Sequence, residues 1–408
     1  MRNPVSVLHI GWWAPAIAAL KGAGADVTCV VTANEAPSVR ATGTDAIVVP
    51  DPGSVEDVLA GLARDSLRPA DFSTICSGVE YYLVQAAVVA EIGGTQGAES
   101  AQMLAMRDKF VQKDLVRRAG VRTAACTLVE SLDRLDLAAV SCPQVLKPLD
   151  GAGAKDTIVL RSPDHLREVI AATSAANRGP WLLEEFIPGQ EFFADGVVRD
   201  GKITFFSLSG YLRNIIECHE GGIVAYRTLS QDEGPDLHTK TRTLAETAFR
   251  ALGHEDGVFH LEVFWDGAEV VFGECAARVG GGRVDRVVEL TYGVNLHDEW
   301  ALAALGLPST VTDGVVRSEN CYGGLNLRCP QGRLESVPSL DRVLARPGVA
   351  EAELYVAAGD AAPDFSAASN VRAGQAVVGG ADTRETEERI IGLSTWFYDS
   401  IQATPAAG

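Results

Sequence analysis

Apolar and polar positions along the first quarter of the chain trade between short strand-like runs and helical stretches. Val5-Ser6-Val7-Leu8-His9-Ile10 reads as a strand, Ala14 to Leu20 as a helix and Val27-Thr28-Cys29-Val30-Val31 as a second strand. The alternation continues through Ala46–Val49, a helix from Val55 to Ala63, a strand at Thr74–Cys76 and a helix from Glu80 to Ile92. Such alternation predicts a parallel α/β sheet, so residues 1–101 read as a Rossmann-like domain. Its first turn, Gly11-Trp12-Trp13-Ala14-Pro15, lacks G-x-G-x-x-G and with it the phosphate-cradling fingerprint of a dinucleotide site, which argues against a nicotinamide enzyme.

A continuous helical segment is expected from Ala101 to Gly120, then alternating strands and a short helix through Pro180 that read as a small separate lobe. Strands around Trp181–Phe186, Phe192–Val198 and Lys202–Gly210 precede a helix from Lys240 to Leu252 and a strong hairpin. After about Gly306 the short strands and Gly/Pro-rich turns predict a third domain ending in a helix from Thr386 to Ile401. The expected organisation is therefore 1–101, a core over 102–306 with a mobile lid near 120–180, and an α+β domain over 307–408.

The hairpin carries the chemistry. Val258–Trp265 and Glu269–Glu274 flank the Asp266-Gly267 turn signal. With the three residues Asp266–Ala268 as the loop, Trp265 pairs with Glu269, Glu274 falls opposite His260, and His260, Glu262 and Glu274 share one face. Glu262 and Glu274 are then diagonal neighbours, ~7 Å apart at Cβ, close enough to converge on one or two Mg²⁺ ions that keep positions for substrate phosphates. Idle, solvated glutamates are the plain alternative, but Phe264, Val270 and Phe272 are expected on the same face and make it too apolar for them. His260 reads as a hydrogen-bonded structural histidine, because hard Mg²⁺ prefers oxygen.

Three glycines, Gly280-Gly281-Gly282, follow the hairpin and permit close backbone approach to a ligand. Arg278, four residues past Glu274, offers a fixed fork to a carboxylate or phosphoryl oxygen. Upstream, Lys147 ends the strand Gln144–Pro148 and precedes the glycine-rich turn Leu149-Asp150-Gly151-Ala152-Gly153-Ala154-Lys155-Asp156, a pattern suited to anionic phosphate but not a P-loop. Lys109, in Met106-Arg107-Asp108-Lys109, is ambiguous by itself.

Composition narrows the class. The 408 residues are 47% apolar and 22% charged, as in a folded chain of two to three domains at ~150 residues each. A formal charge of −19 and a pI near 4.8 argue against nonspecific nucleic-acid binding. No run approaches the ~20 apolar residues of a membrane span, and the start is too short for a secretory segment, so no membrane partner and a cytoplasmic location are expected. That location also disfavours a periplasmic-type small-molecule binder. The eight cysteines form no C-x-x-C pair and read mostly as buried reduced thiols.

Together these motifs resemble the ATP-grasp superfamily over roughly residues 1–400. The resemblance implies that Lys109 and Lys147 reach the nucleotide phosphates and that Gly151, Gly153 and Ala154 belong to the mobile glycine-rich loop. Leu182-Leu183-Glu184-Glu185-Phe186-Ile187 resembles the adenine hinge, with Glu184 beside the backbone groups of Glu185, Phe186 and Ile187. Glu191 is the matching ribose acid, Phe272 lies under the adenine, and Glu262 and Glu274 are the Mg²⁺ ligands. Where many members have E-x-N-x-R, this chain has Glu274-Cys275-Ala276-Ala277-Arg278, so one ligand is missing and one Mg²⁺ leans on solvent or substrate. Ala154 and Asp156 stand where serine and glycine are common.

The E-x-A-A-R form is similar to bacterial L-amino acid ligases of the bacilysin type. It implies an ATP-dependent carboxylate–amine ligase that uses ATP and Mg²⁺ (or Mn²⁺), makes an amide through an acyl phosphate, takes small-molecule carboxylate and amine substrates, and is often a homodimer. Arg278, Lys147 and Gly281 are the expected catalytic groups. Tyr211, Arg213, Glu217 and His219 form one candidate substrate wall; Gly280, Gly282 and Arg283 form another, with the glycines making a roomier acceptor pocket. Rival readings are a carboxylase of the biotin or purine-biosynthesis kind and a noncatalytic ATP sensor.

Overall fold

The computed structural model describes residues 5–136, 140–149, 151, 153–173, 179–311 and 315–405; Asp150 and Ala152 of the glycine-rich turn lie outside the described residues. The N-terminal sheet contains β1 (Val5–Ile10), β2 (Ala25–Val31), β3 (Asp45–Val48) and β4 (Thr74–Cys76), with α1 (Ala14–Gly22), α2 (Ala36–Ala41), α3 (Val55–Arg64) and α4 (Leu83–Gly93) as its helices. All its pairs are parallel and its order is β3-β2-β1-β4. The order reverses at β1, so the crevice past the carboxyl ends of β1 and β4 is where such a sheet takes ligands. Buried His9 ties the two loops there: Gly78 N–H donates to its Nε2 at 2.9 Å, leaving Nδ1 to donate to Gly11 O at 2.9 Å. Burial lowers its pKa to about 4, which keeps the ring neutral.

The long helix expected over 101–120 is two helices, α5 (Ser100–Arg107) and α6 (Lys109–Arg118). Asp108 breaks it: its backbone is extended and its carboxylate accepts from Phe110 and Val111 N–H at 2.9 Å each, capping α6. Lys109 thereby opens α6. The next lobe is an antiparallel sheet of β5 (Cys126–Val129), β6 (Gln144–Pro148), β7 (Ile158–Leu160) and β8 (Trp181–Glu185), ordered β5-β8-β6-β7 and accompanied by α7 (Pro163–Ala172). It has its own core of Leu146, Leu160, Leu166 and Trp181.

The remaining elements are β9 (Gln190–Arg199), β10 (Lys202–Tyr211), β11 (Ala225–Thr228), α8 (Pro235–Leu252), β12 (Gly257–Trp265), β13 (Val270–Ala276), α9 (Val284–Tyr292), α10 (Leu296–Ala304), β14 (Cys321–Leu327), β15 (Arg333–Ser336), α11 (Leu340–Leu344), β16 (Val349–Leu354), β17 (Gly374–Gly380), α12 (Thr383–Asp399) and β18 (Gln402–Thr404). An eight-stranded antiparallel sheet runs β13-β12-β9-β10-β11-β14-β17-β16. Of the strands past Gly306, β14, β17 and β16 extend the central sheet while β15 and β18 pair with each other, and the region keeps a separate apolar cluster around Leu325, Ile390 and Phe397. All eight cysteines are free, five of them buried. Among the described residues no helix is long and apolar enough to cross a membrane.

Candidate active site

The β12–β13 hairpin differs from its expected register. Trp265 pairs with Val270, so the loop has four residues, and Val263 pairs with Phe272. Without further change Glu262 would face Gly273, putting Glu274 on the opposite face. A bulge between Glu262 and Val263 skips Gly273 and sets Glu262 directly opposite Glu274, rather than diagonal to it. His260 lies opposite Ala276 instead of Glu274.

The bulge is held from α6. As the edge strand, β13 has one side of its backbone unpaired by strands, and α6 side chains take that side. Gln112 donates to Cys275 O at 2.8 Å and accepts from Cys275 N–H at 2.9 Å, while Lys113 Nζ donates to the bulged Gly273 O at 2.6 Å. Neither residue was singled out in the sequence; the only trace is their place one helical step after Lys109.

Beside the glutamates lies an ion network. Glu184, 5% exposed, meets Lys147 at 3.0 Å and Lys113 at 3.3 Å; Glu274 meets Lys109 at 3.4 Å and Lys147 at 3.9 Å. Burial works against the Glu274 carboxylate, but Lys109 and Lys147 hold its pKa down to about 2. Burial likewise opposes charge on Lys147, and Glu184 with Glu274 outweighs it and pushes the ammonium above its usual range. Glu184 therefore positions lysines through its side chain. A second relay backs Glu262: Asp195, 1% exposed at its side chain, lies 2.9 Å from His260 Nδ1, and His260 Nε2 lies 3.6 Å from Glu262. Burial lowers the His260 pKa, but Asp195 overcomes it and raises it to about 10, so the ring is an imidazolium bracketed by carboxylates.

Lys109, Lys113, Lys147, Glu184, Glu262 and Glu274 line one cavity, together with Gly151, Gly153, Ala154, Glu185, Phe186, Ile187, Glu191 and Tyr211, while His260 and Asp195 stand behind its wall. At its apolar end Ala124 and Ile187 cluster with Val271, with Phe264 packed against them. Phe272 reaches the wall but is 0% exposed, pairs with Val263 and packs in the main core; with Val270, it falls on the face away from the glutamates. The partly exposed ring on the glutamates' face is Phe264. The hinge is fixed where Glu185 N–H donates to Ala125 O at 2.8 Å and its carboxylate accepts from Ala125 N–H at 3.1 Å. Glu191, 6% exposed, accepts from Ile215 N–H at 2.8 Å; burial first and Glu262 second push its pKa up to about 8. Lys109 Nζ donates to Gly151 O at 2.6 Å, joining α6 to the glycine-rich loop.

Two oxygen donors facing each other suit Mg²⁺, which is usually held by one or two carboxylates with substrate phosphates and water completing the shell. The lysines beside Glu274 are also the site's phosphate-binding candidates, and turning them to phosphate leaves the carboxylate in need of another cation. Among the described residues no group of three or more His, Cys, Asp or Glu is arranged for a metal.

The expected substrate residues divide. Arg278 Nε lies 2.5 Å from Glu80, in the turn after β4, and Arg107 lies 3.5 Å from the same carboxylate. Arg278 is thus drawn to the ligand crevice of the N-terminal sheet, and Glu80, which the sequence reading passed over as a helix start, belongs with it. Tyr211 is buried in the wall, its ring 4.8 Å from that of Phe193. Arg213 is exposed and outside the cavity lining. His219 faces the glycine-rich loop and the C-terminal lobe. Arg283 is committed to Glu351 at 2.8 Å and Glu353 at 3.1 Å on β16. Nor is Gly280 roomy: a Cβ there would stand 2.7 Å from His260 Nδ1 and 2.9 Å from Asp195 Oδ1. Gly281 has open space, and Gly282, at φ +64°, accepts the Tyr226 hydroxyl at 3.0 Å.

Residues 114–282 match the ATP-grasp domain family. The protein carries an ATP-grasp domain within an ATP-grasp fold, and Glu262, Glu274 and Lys147 lie inside the matched span. Its relatives include a Bacillus subtilis L-arginine-specific L-amino acid ligase, 23% identical over 76% of each chain. Another is dapdiamide A synthase of Enterobacter agglomerans, 28% identical over 49% of each chain. The fold is shared with a Bacillus licheniformis L-amino acid ligase, at TM-score 0.78, 18% identity and full coverage of both chains. An Aspergillus clavatus N5-carboxyaminoimidazole synthase also shares it, at TM-score 0.73 and 16% identity, covering 97% of this chain and all of the other.

Proposed function

We propose that the protein is an ATP-dependent carboxylate–amine ligase acting on amino acids or close analogues and producing an amide, ADP and phosphate. The observation that carries this reading is the convergence of Glu262, Glu274, Lys109 and Lys147 on one cavity whose neighbour, Arg278, is paired with Glu80. The first four groups suit phosphoryl transfer, which is mainly positioning and charge stabilisation. The fifth and sixth present opposite charges side by side, the complement of an amino acid's carboxylate and ammonium.

In this reading Lys109 and Lys147 turn from Glu274 to phosphate oxygens, and Glu191 meets the ribose. Glu262 and Glu274 would hold Mg²⁺, which would supply positive charge against the phosphate oxygens. Arg278 exchanges Glu80 for the substrate carboxylate and then for the developing oxyanion. Glu80 takes the ammonium, and the Gly281 backbone leaves space where the second substrate enters. A lid closed over the cavity excludes water from the acyl phosphate. The fold neighbours include carboxylases, and the amino-acid-like complementarity of Glu80 and Arg278 favours the ligase over that chemistry.

Mg²⁺-dependent phosphate release should be measured across amino acids singly and in pairs, with mass spectrometry of each mixture. Release that requires two partners and yields their condensation mass is expected. Turnover stimulated by bicarbonate and by no pair would replace the ligase with a carboxylase.

A further inference from the structure

The glycine-rich loop is held by residues from far along the chain. Ser369, 9% exposed, lines the nucleotide cavity from the C-terminal lobe. Its backbone N–H and its hydroxyl both donate to Gly153 O, at 2.9 and 3.0 Å. Ser369 O in turn accepts from Asn326 Nδ2 on β14 at 2.9 Å, anchoring the contact to the central sheet. His219, from the segment between β10 and β11, sets Nε2 2.9 Å from Ala154 O and Nδ1 2.5 Å from Ser366 O. Both partners only accept, so the imidazolium joins both strands of the bridge and the neutral ring joins one.

Backbone strain gives these contacts a purpose. Gly153, Ala154 and Asp156 all lie in the left-handed region, at φ +64°, +57° and +54°. For Ala154 and Asp156 that conformation is unfavourable and persists where surroundings over-determine it. The Gly153 and Ala154 carbonyls are the two atoms that Ser369 and His219 hold.

We infer that Ser369 and His219 are positioning residues through which the C-terminal lobe holds the glycine-rich loop over the nucleotide and keeps the acyl phosphate from water. The inference deepens the ligase reading and rests on it for the second half. Attack of water on the acyl phosphate breaks the bond between the acyl carbon and its phosphate oxygen, returning free carboxylate and inorganic phosphate. ATP is then consumed with no C–N bond made. An open loop should raise phosphate released per amide formed, beyond any change in turnover.

The test uses the full chain as wild type, S369A, H219A, H219Q and the double S369A/H219A variant. Hydrogen exchange of residues 151–157 is read with and without MgADP, and phosphate and amide are counted together during turnover. Faster exchange of this loop alone, with phosphate exceeding amide several-fold in the double variant and H219Q closer to wild type than H219A, is the expected result. If the double variant does not fold, S369A and H219A singly give the same readouts. Exchange equal to wild type overturns the holding role; faster exchange with phosphate and amide still equal overturns the shielding of the acyl phosphate. A wild-type protein that joins no pair strikes the ligase reading instead, and exchange alone then decides the holding role.

Discussion

The proposed phosphate end of the cleft and the proposed acceptor end are built on opposite terms. At the phosphate end Lys109, Lys113 and Lys147 each lie within 4 Å of Glu184 or Glu274, and all five come from different turns or strands. Few of these groups can change without stranding a buried charge. At the acceptor end, Gly280 to Gly282 offer backbone, with open space at Gly281 alone, and the next charge, Arg283, faces away to Glu351 and Glu353. The first region sets what reaction is possible; the second sets what fits. Chemistry should therefore be brittle to side-chain identity at one end and sensitive to side-chain volume at the other.

The sharpest way to break that contrast is Glu274→Gln. It keeps the shape, removes the charge of a proposed metal ligand and takes from Lys109 its carboxylate partner, while Lys147 keeps only Glu184. Turnover should fall ~100-fold or more, the scale of losing one preorganised electrostatic partner. A fall below ten-fold, in steady-state phosphate release at saturating Mg²⁺, would show that the network is not the reacting centre. Next comes the border between the two ends. Glu80→Gln leaves Arg278 without its partner, and removing one member of such a buried pair costs roughly 2 kcal/mol or more, about thirty-fold. The loss should appear in kcat/KM for the amino acid and spare KM for ATP. Equal losses for both would make Glu80 a prop for Arg278 rather than a substrate contact.

The same border marks where the sequence was legible. Glu262, Glu274 and Lys147 stood out as candidates because strand alternation and glycine spacing are local signals, and the hinge stood out only through the family resemblance. Their face-to-face geometry was not, because two errors nearly cancelled. The loop is one residue longer than expected, and the Gly273 bulge restores the shared face that the longer loop would have lost. Phe272 and Val270 sit before that bulge, so their expected face was wrong while that of Phe264 was right. Long-range pairings were silent in the sequence. Nothing near Glu80 announces Arg278, 198 positions on, and nothing near Ser369 announces Gly153, 216 positions away. The C-terminal strands announced turns and alternation but not that β14 would join β11 in the central sheet.

Within the acceptor end itself, volume should matter unevenly. Gly280→Ala forces a methyl group against the buried His260–Asp195 pair and should destabilise the fold by roughly 1–3 kcal/mol, the usual cost of overpacking. Gly281→Ala meets nothing within 4 Å and should leave thermal unfolding unchanged. Equal melting temperatures for the two variants would mean that the glycine run is loose throughout, contrary to the close approach of Gly280.

The last expected effect concerns pH and falls on Glu191, between the hinge and the proposed metal ligand Glu262. Burial and then Glu262 raise its pKa to about 8 in the folded protein, against an ordinary value of 4.5. The folded chain keeps a proton that the unfolded chain has released, so this group's contribution to stability is full below the ordinary value and is lost as pH rises through about 8. Glu191→Gln preserves an acceptor for Ile215 N–H and removes the ionisation. Its unfolding free energy, measured by denaturant at about pH 5 and about pH 9, should decline less with pH than that of wild type. Parallel curves would place the charge of Glu191 in water-like surroundings, incompatible with a carboxyl wedged between the hinge and Glu262.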